Sequence, residues 1–382
     1  MVTGDEARSP RGRIYLIKSA EEDGFDWSDA SDPLRTCLGC RACETACPSG
    51  VEYGALLELA REKLGKVSPR PIERGLISSL THPLGAGISM AAAGLLPGRK
   101  MPDFLSEALF GAKAEAKTPQ PQTLARWREL DESRMPQARG SVHLLEGCIM
   151  RVLFPRVHQA TKRLLRRVGF TISGVDGGCC GAMDAHAGSL EAASAKARQL
   201  CHAFEGDLPI IVNSAGCGST IKAYGGHFGS KETASRTFDI SEFLLNEGLL
   251  DLLKTSAGLD LTAAYHDACH LAHGQSVRSQ PRTLLEAIPG SSWTALAESD
   301  TCCGSAGTYN VTQPELARQL LDRKWKNVER TGAQVLVSGN PGCHAWLDQA
   351  SEEHGRRVVV LHTVEMLEAS FSGIEGIMTA GV

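Results

Sequence analysis

The sequence predicts an α/β protein in which a helical N-terminal domain is followed by two duplicated α/β modules with parallel sheets. Three observations carry that expectation. The N-terminal segment has helical texture, short β-branched strands alternate with helices beyond residue 139, and one cysteine pattern occurs twice at a near-constant offset.

Residues 1–17 are polar and turn-rich around Ser9-Pro10-Arg11-Gly12-Arg13, and read as the interior of a domain rather than a beginning. Leu56, Leu57, Leu59 and Leu64 mix with charges as in a short amphipathic helix over 54–64, and helical turns are expected to continue to Leu96. The apolar run Leu84 to Leu96 is 13 residues long and diluted by Gly85, Gly87, Ser89 and Gly94. It falls short of the roughly 20 residues that span a bilayer, and a buried helix is preferred to a face resting on a partner or membrane. Pro102, Pro119, Pro121 and Pro136 mark 98–139 as a linker, with one helix expected over Leu124 to Leu130. The expected divisions are 1–97, 98–139, 140–255 and 256–382.

Strands are expected at Val142 to Leu145, Pro209 to Val212, Thr262 to Tyr265, Val335 to Val337 and Val358 to Leu361. Between them, Val157, Ala160, Leu164, Leu165 and Val168 share one helical face, and a long helix runs from about Glu315 to Val328. Such alternation implies parallel sheets with crossover helices.

Forty basic against 44 acidic residues leave a net charge of −4, with no basic stripe for nucleic acid. The N-terminus carries no apolar secretory core, so the thirteen cysteines are expected to be reduced, in a cytoplasmic setting. Twelve fall in recurring patterns, whereas Cys201 stands alone in a helical stretch and reads as an inert core residue. Neither G-x-G-x-x-G after a strand nor G-x-x-x-x-G-K-[ST] occurs, so the chain is not expected to bind flavin or nicotinamide itself.

Cys37, Cys40, Cys43 and Cys47 are spaced C-x2-C-x2-C-x3-C-P. Two-residue gaps let one tight loop, eased by Gly39, present three thiolates to a cubane, which makes the N-terminal domain ferredoxin-like and implies a 4Fe-4S cluster. Zinc, the alternative, prefers C-x2-C pairs well separated in sequence. In this spacing the fourth cysteine ordinarily serves a second cluster, and a second motif is missing here. An N-terminal truncation, an incomplete cluster, or closure by Cys47 would each account for that, and the texture of 1–17 favours truncation.

Cys148, the pair Cys179-Cys180 with Gly181, and Cys217 are matched by Cys269, the pair Cys302-Cys303 with Gly304, and Cys343, at offsets of 121, 123 and 126 residues. One module used twice explains these offsets and suggests a pseudo-twofold arrangement. Cysteines that follow parallel strands converge where open α/β sheets place their sites. A further cluster or zinc in these modules, thiol-disulfide chemistry, and simple burial all stay open for the pairs. His266, His270 and His273 would share a face if helical, and could tune a site, supply a zinc ligand or act as polar caps.

The segments Glu44 to Gly54 and Ser9 to Lys18, together with the two cysteine-pair modules, resemble the iron-sulfur subunit of bacterial glycolate oxidase, or glycolate dehydrogenase, over nearly the whole chain. The modules alone are also similar to those of heterodisulfide reductase, lactate-utilisation and anaerobic glycerol-phosphate dehydrogenase subunits. The resemblance implies an oxidoreductase subunit that takes electrons from flavin-containing dehydrogenase subunits, where glycolate becomes glyoxylate, and passes them toward the quinone pool. It implies a 4Fe-4S cluster on Cys37, Cys40 and Cys43, with Cys47 serving a neighbour, and at most peripheral attachment to the inner face of the cytoplasmic membrane. An earlier cluster motif expected of that family is missing from this sequence. Ser214 and Asn340 also replace the first cysteine of a C-x-x-C ending in each module. The alternative implied by the modules is a heterodisulfide-reductase-like or lactate-utilisation-type redox subunit with a thiol or disulfide site.

Overall fold

The computed structural model describes residues 4–173, 178–226 and 228–374. Its N-terminal region is helical. Where turns were expected over 1–17, a helix runs from Pro10 to Glu22, started by the Ser9 hydroxyl accepting the Gly12 N–H at 3.0 Å. A capping serine followed by proline is a start signal that outweighs the local polarity. Helix Tyr53–Val67 buries Tyr53, Leu57, Ala60 and Leu64 against Ile17, Ala30, Leu34 and Cys37. Helices Pro71–Thr81 and Pro83–Gly94 continue the segment as expected. The expectation of a simply buried apolar helix fails, since Ile88 is 69% and Leu95 88% exposed.

The linker is strapped to the modules. Gln349 grips its backbone through Lys117 N–H at 2.8 Å and Glu115 C=O at 2.8 Å, and Gln159 does the same to Ala125 N–H and C=O at 3.0 and 3.1 Å. That second grip explains why the expected helix over Leu124 to Leu130 does not form. The Ala125 amide groups are taken by a side chain of the neighbouring module, and Trp127 is buried beneath the Arg163 guanidinium. The helix of this region lies instead at Asp103–Phe110.

Two four-stranded sheets follow. The first comprises β1 (Gly140–Leu145), β2 (Phe170–Ile172), β3 (Ile210–Val212) and β4 (Thr237–Asp239), in the order β2-β1-β3-β4. The second comprises β5 (Leu261–His266), β6 (Ser291–Thr294), β7 (Val335–Ser338) and β8 (Val359–His362), in the order β6-β5-β7-β8. All pairings are parallel, with Leu144 opposite Ile211 and Ala264 opposite Leu336 at the centres. The duplicated parallel architecture is therefore as expected. The short strands β2, β4 and β6 escape sequence reading because they flank the central pairs and carry polar residues such as Thr171, Asp239 and Ser292.

The modules pack through exchanged partners. Helix Pro155–Arg167 of the first lies on Thr363–Ser372 of the second, while Ile240–Asn246 of the first lies on Ser279–Glu286 of the second. Equivalent helices thus swap roles, which is the signature of a pseudo-twofold, self-complementary interface. One apolar core runs through it, joining Val157, Leu164 and Leu244 to Leu284, Val364 and Leu367. Three ion pairs seal one half of it, with Arg156 on Glu365 at 2.5 Å and Arg163 and Arg167 on Glu368 at 2.7 and 2.8 Å, both carboxylates being fully buried.

Candidate functional site

In each sheet the chain leaves the first central strand in one direction and the second in the other, so a crevice opens between β1 and β3, and between β5 and β7. The cysteines line these crevices. Cys148 begins the helix Cys148–Leu153 after β1, and Cys217 sits in the first turn of Ala215–Lys222 after β3. Cys269 and Cys343 hold the matching places after β5 and β7. Cys148 Sγ lies 3.7 Å from Cys179 Sγ, and Cys180 is in contact with both Cys179 and Cys217. In the second module Cys269 meets Cys302, Cys302 meets Cys303, and Cys303 meets Cys343.

The Cys-Cys-Gly turn is built the same way twice. Gly181 and Gly304 have φ of +80° and +94°, and a Cβ there would come within 2.8 Å of Ala193 O and 2.6 Å of Ala317 O. Only glycine allows that approach and that backbone conformation together. Its N–H then donates to the first cysteine of the pair, to Cys179 Sγ and Cys302 Sγ, at 3.4 Å in both modules.

Cys37, Cys40 and Cys43 come together on a loop between Ser31–Arg35 and Tyr53–Val67, and Gly39 turns the loop at φ +65°. The Cys37 sulfur accepts from Tyr53 Oη at 3.7 Å and from Gly39 N at 3.5 Å. Arg61 clamps the loop by donating to Leu34 O at 3.1 Å, Cys37 O at 2.6 Å and, across to the first module, His186 O at 2.7 Å. Tyr309 of the second module donates to Thr36 O at 3.0 Å. Cys40 consequently lies within electrostatic reach of Cys269 and Cys302. Cys47 stands apart, half-buried, where the N–H groups of Val51 and Ser49 pull its thiol below the usual range.

Burial pushes the Cys40 thiol up to about 12 and Cys43 to about 11. Contact with Cys302, and then burial, drives Cys269 well up, while thiol donors from Cys148 and then Cys180 pull Cys179 down to about 3. Neighbouring buried sulfurs cannot all become thiolates by themselves, because each charge opposes the next. A cationic metal centre removes that obstacle by holding the sulfurs deprotonated. Clustered soft donors with N–H groups aimed at sulfur fit iron-sulfur or zinc chemistry.

The histidines, which would share a face if helical, do not lie on one helix. His266 closes β5, whereas His270 lies in the helix Cys269–Ala272 and His273 caps it. His273 accepts from Arg278 at 2.8 Å and Nε2 bonds Asp300 O at 3.2 Å, as a polar cap does, while His270 packs its edge on His186 at 5.1 Å between centroids. Sequence reading missed Arg61, Tyr53 and Tyr309, which carry no motif of their own. A cavity of about 460 Å³ joins the crevices, bordered by Cys37, Cys148, Cys179, Cys269, Cys302 and Cys343.

The cysteine-rich domain family CCG matches residues 142–222 and 263–348. The chain is 32% identical to the glycolate oxidase iron-sulfur subunit of Escherichia coli (strain K12), over 96% of this chain and 88% of that protein. It is 30% identical to the probable glycolate oxidase iron-sulfur subunit of Bacillus subtilis (strain 168), over 95% of this chain and 88% of the relative. Lactate utilization protein A of Oceanobacillus iheyensis is 28% identical over 61% of this chain and 98% of its own length.

Proposed function

Because the chain belongs to the family of glycolate oxidase iron-sulfur subunits, and so to an oxidoreductase complex, we propose that it is the electron-transfer subunit between flavin-containing partners and a quinone acceptor. Glycolate is oxidised to glyoxylate on those partners, and this chain moves the electrons. On this reading Cys37, Cys40 and Cys43 hold a 4Fe-4S cluster, Cys47 serves a neighbouring one, and the remaining eight paired-module cysteines hold a further cluster or zinc. Residues 1–97 form the cluster domain, 98–139 the linker, and 140–255 and 256–382 the two modules. When bound, such a cluster accepts and releases one electron at a time.

The observation that carries the proposal is the seating of the Cys37–Cys43 loop against Cys269 and Cys302 of the second module. Adjacent redox sites in one rigid frame are what a relay needs. The protein's own residues would tune it: Tyr53 Oη and Gly39 N donate to the Cys37 sulfur, and donors to sulfur together with burial set cluster potentials. Arg61 positions the loop by its backbone bonds and takes no part in the electron step. Among the described residues no helix is long and apolar enough to cross a membrane. We place the chain on the cytoplasmic side, with any membrane attachment peripheral.

The test is anaerobic purification with iron and sulfide assays and electron paramagnetic resonance. Dithionite reduction, or glycolate with the flavin partners present, should produce a reduced-cluster signal that Cys40→Ser removes. A colourless protein, iron-free even after reconstitution, overturns the reading. The shared cavity favours one second reading, a thiol or disulfide reaction at the cysteine pairs. Reduction of a disulfide substrate without flavin partners would support it.

A further inference from the structure

The second module contains an imidazole that the relay leaves without a task. Counting back from the first cysteine of each module, His266 stands where the first module has Leu145, so it is an addition to the duplicated plan. The ring is completely buried. Its Nδ1 lies 3.0 Å from Ser299 O. A carbonyl oxygen only accepts, so Nδ1 carries the proton and Nε2 keeps its lone pair. Nε2 is itself buried and has no hydrogen-bond partner. Leaving such an acceptor without a partner is unfavourable, unless something else takes the lone pair.

Two sulfurs lie close to this ring. A ring nitrogen of His266 and the Sγ atoms of Cys303 and Cys343 all lie within 4.8 Å of one another. We propose that His266 Nε2, Cys303 and Cys343 ligate a single thiophilic metal ion, zinc or iron, so that the second module is a mixed nitrogen-sulfur site. This rests on the reading that the paired modules hold metal, and it adds a ligand and a nuclearity to it. Donors around one tetrahedral ion, at bonds of about 2.0 Å to nitrogen and about 2.3 Å to sulfur, stand less than 4 Å apart by ordinary tetrahedral geometry. The trio needs only a small contraction to reach that. A cubane, whose cysteines each bind a different iron, needs its sulfurs spread more widely.

Two neighbours have the form of a supporting shell. The Nδ1–H bond to Ser299 O holds the ring in the tautomer that leaves Nε2 free, as metal-bound histidines are commonly held. Asn340, at the place where a fifth cysteine would stand, donates its amide to Cys343 Sγ at 3.5 Å and supplies no thiolate. Cys302, in contact with Cys303, is the nearest thiol for a fourth position.

The test uses the full chain, purified without oxygen. Elemental analysis should give at least one zinc or one non-cluster iron per chain, one more than in His266→Ala. For zinc, K-edge X-ray absorption should find one nitrogen at about 2.0 Å and sulfurs at about 2.3 Å. For iron, Mössbauer spectroscopy should resolve a single-ion site apart from the cluster. His266→Ala should lose that one ion, His266→Cys should keep it, and the cluster signal of the Cys37 loop should survive both. An all-sulfur shell in the unmodified protein overturns the proposal, as does full metal retention in His266→Ala. Should His266→Ala fail to fold, absorption on the unmodified protein still decides. Loss of the Cys37-loop signal alone, with the His266 ion intact, would instead overturn the relay.

Discussion

The two cysteine-rich modules share one strand order and one Cys-Cys-Gly turn, yet their thiols sit in different surroundings. In the first, Cys148, Cys179 and Cys217 are half-buried and Cys180 alone is closed off. In the second, Cys269, Cys302, Cys303 and Cys343 are all buried, because the Cys37 loop and Tyr309 lie over that crevice. Substitutions follow the same asymmetry, with Leu145 answered by His266 and Ser214 by Asn340. Duplication supplied the frame, and what packs against each copy changed its chemistry.

The largest test lies at the interface between the modules, where Glu365 and Glu368 bind arginines across one half. Glu368→Ala takes the buried carboxylate from two partly buried guanidiniums, and breaking a buried pair costs about 3–5 kcal/mol. Urea unfolding should show at least that loss. Leu284→Ala in the apolar other half should cost about 2–5 kcal/mol and leave no charge exposed. A Glu368→Ala penalty smaller than that of Leu284→Ala would remove the asymmetry between the two halves.

The glycine turns come next. Gly181→Ala and Gly304→Ala should each lose about 1–3 kcal/mol from backbone strain, with Gly304→Ala worse because its neighbour is closer, 2.6 against 2.8 Å. Thermal melts of the two variants, read by circular dichroism, rank them.

The equivalent caps Asp239 and His362 should respond to pH in opposite senses. Each caps the helix after the last strand of its sheet, with Glu242 and Glu365 completing the motif. Burial raises the Asp239 carboxyl to about 6 and lowers the His362 imidazole to about 4. A raised acid favours the folded state at low pH and loses that contribution as pH rises from 3.8 through about 6. A depressed histidine contributes above 6.5 and loses stability as pH falls from there through about 4. The two therefore oppose each other between about 4 and 6. Asp239→Asn should steepen acid destabilisation there by about 1.4 kcal/mol per pH unit, and His362→Asn should flatten it by a similar amount. Urea unfolding across that range measures both slopes, and parallel slopes in the two variants would refute the opposition.

The smallest effect is in access. In metal-free, reduced protein, iodoacetamide should modify Cys148 and Cys179 about tenfold faster than Cys302 and Cys303, as exposure governs thiol reaction. Peptide mass spectrometry gives the order, and equal rates would show that the Cys37 loop does not cover the second crevice.

Much of this was legible in the chain. The central strands β1, β3, β5 and β7 were readable because their residues are apolar and buried, and cysteines placed just beyond such strands had to meet. The outer strands β2, β4 and β6 were not, since an edge tolerates Thr171, Asp239 or Ser292, whereas the apolar outer strand β8 was. The segment around Leu124 looked helical from its apolar spacing, but Gln159, 34 residues on, takes its amide groups.

Residue type and spacing alone determined that thiols would gather in three groups, that two of the groups would be copies, and that the Cys37 group would carry a cluster-type loop. Those are properties of short segments and repeats, written in local order. Which group would lie against which, whether a thiol would be wet or dry, and that a ring nitrogen of His266 would come within 4.8 Å of the Cys303 and Cys343 sulfurs were decided by tertiary packing. Such contacts join residues far apart in the chain, and the crossing of helices and the docking of the N-terminal domain set them, which no local pattern encodes.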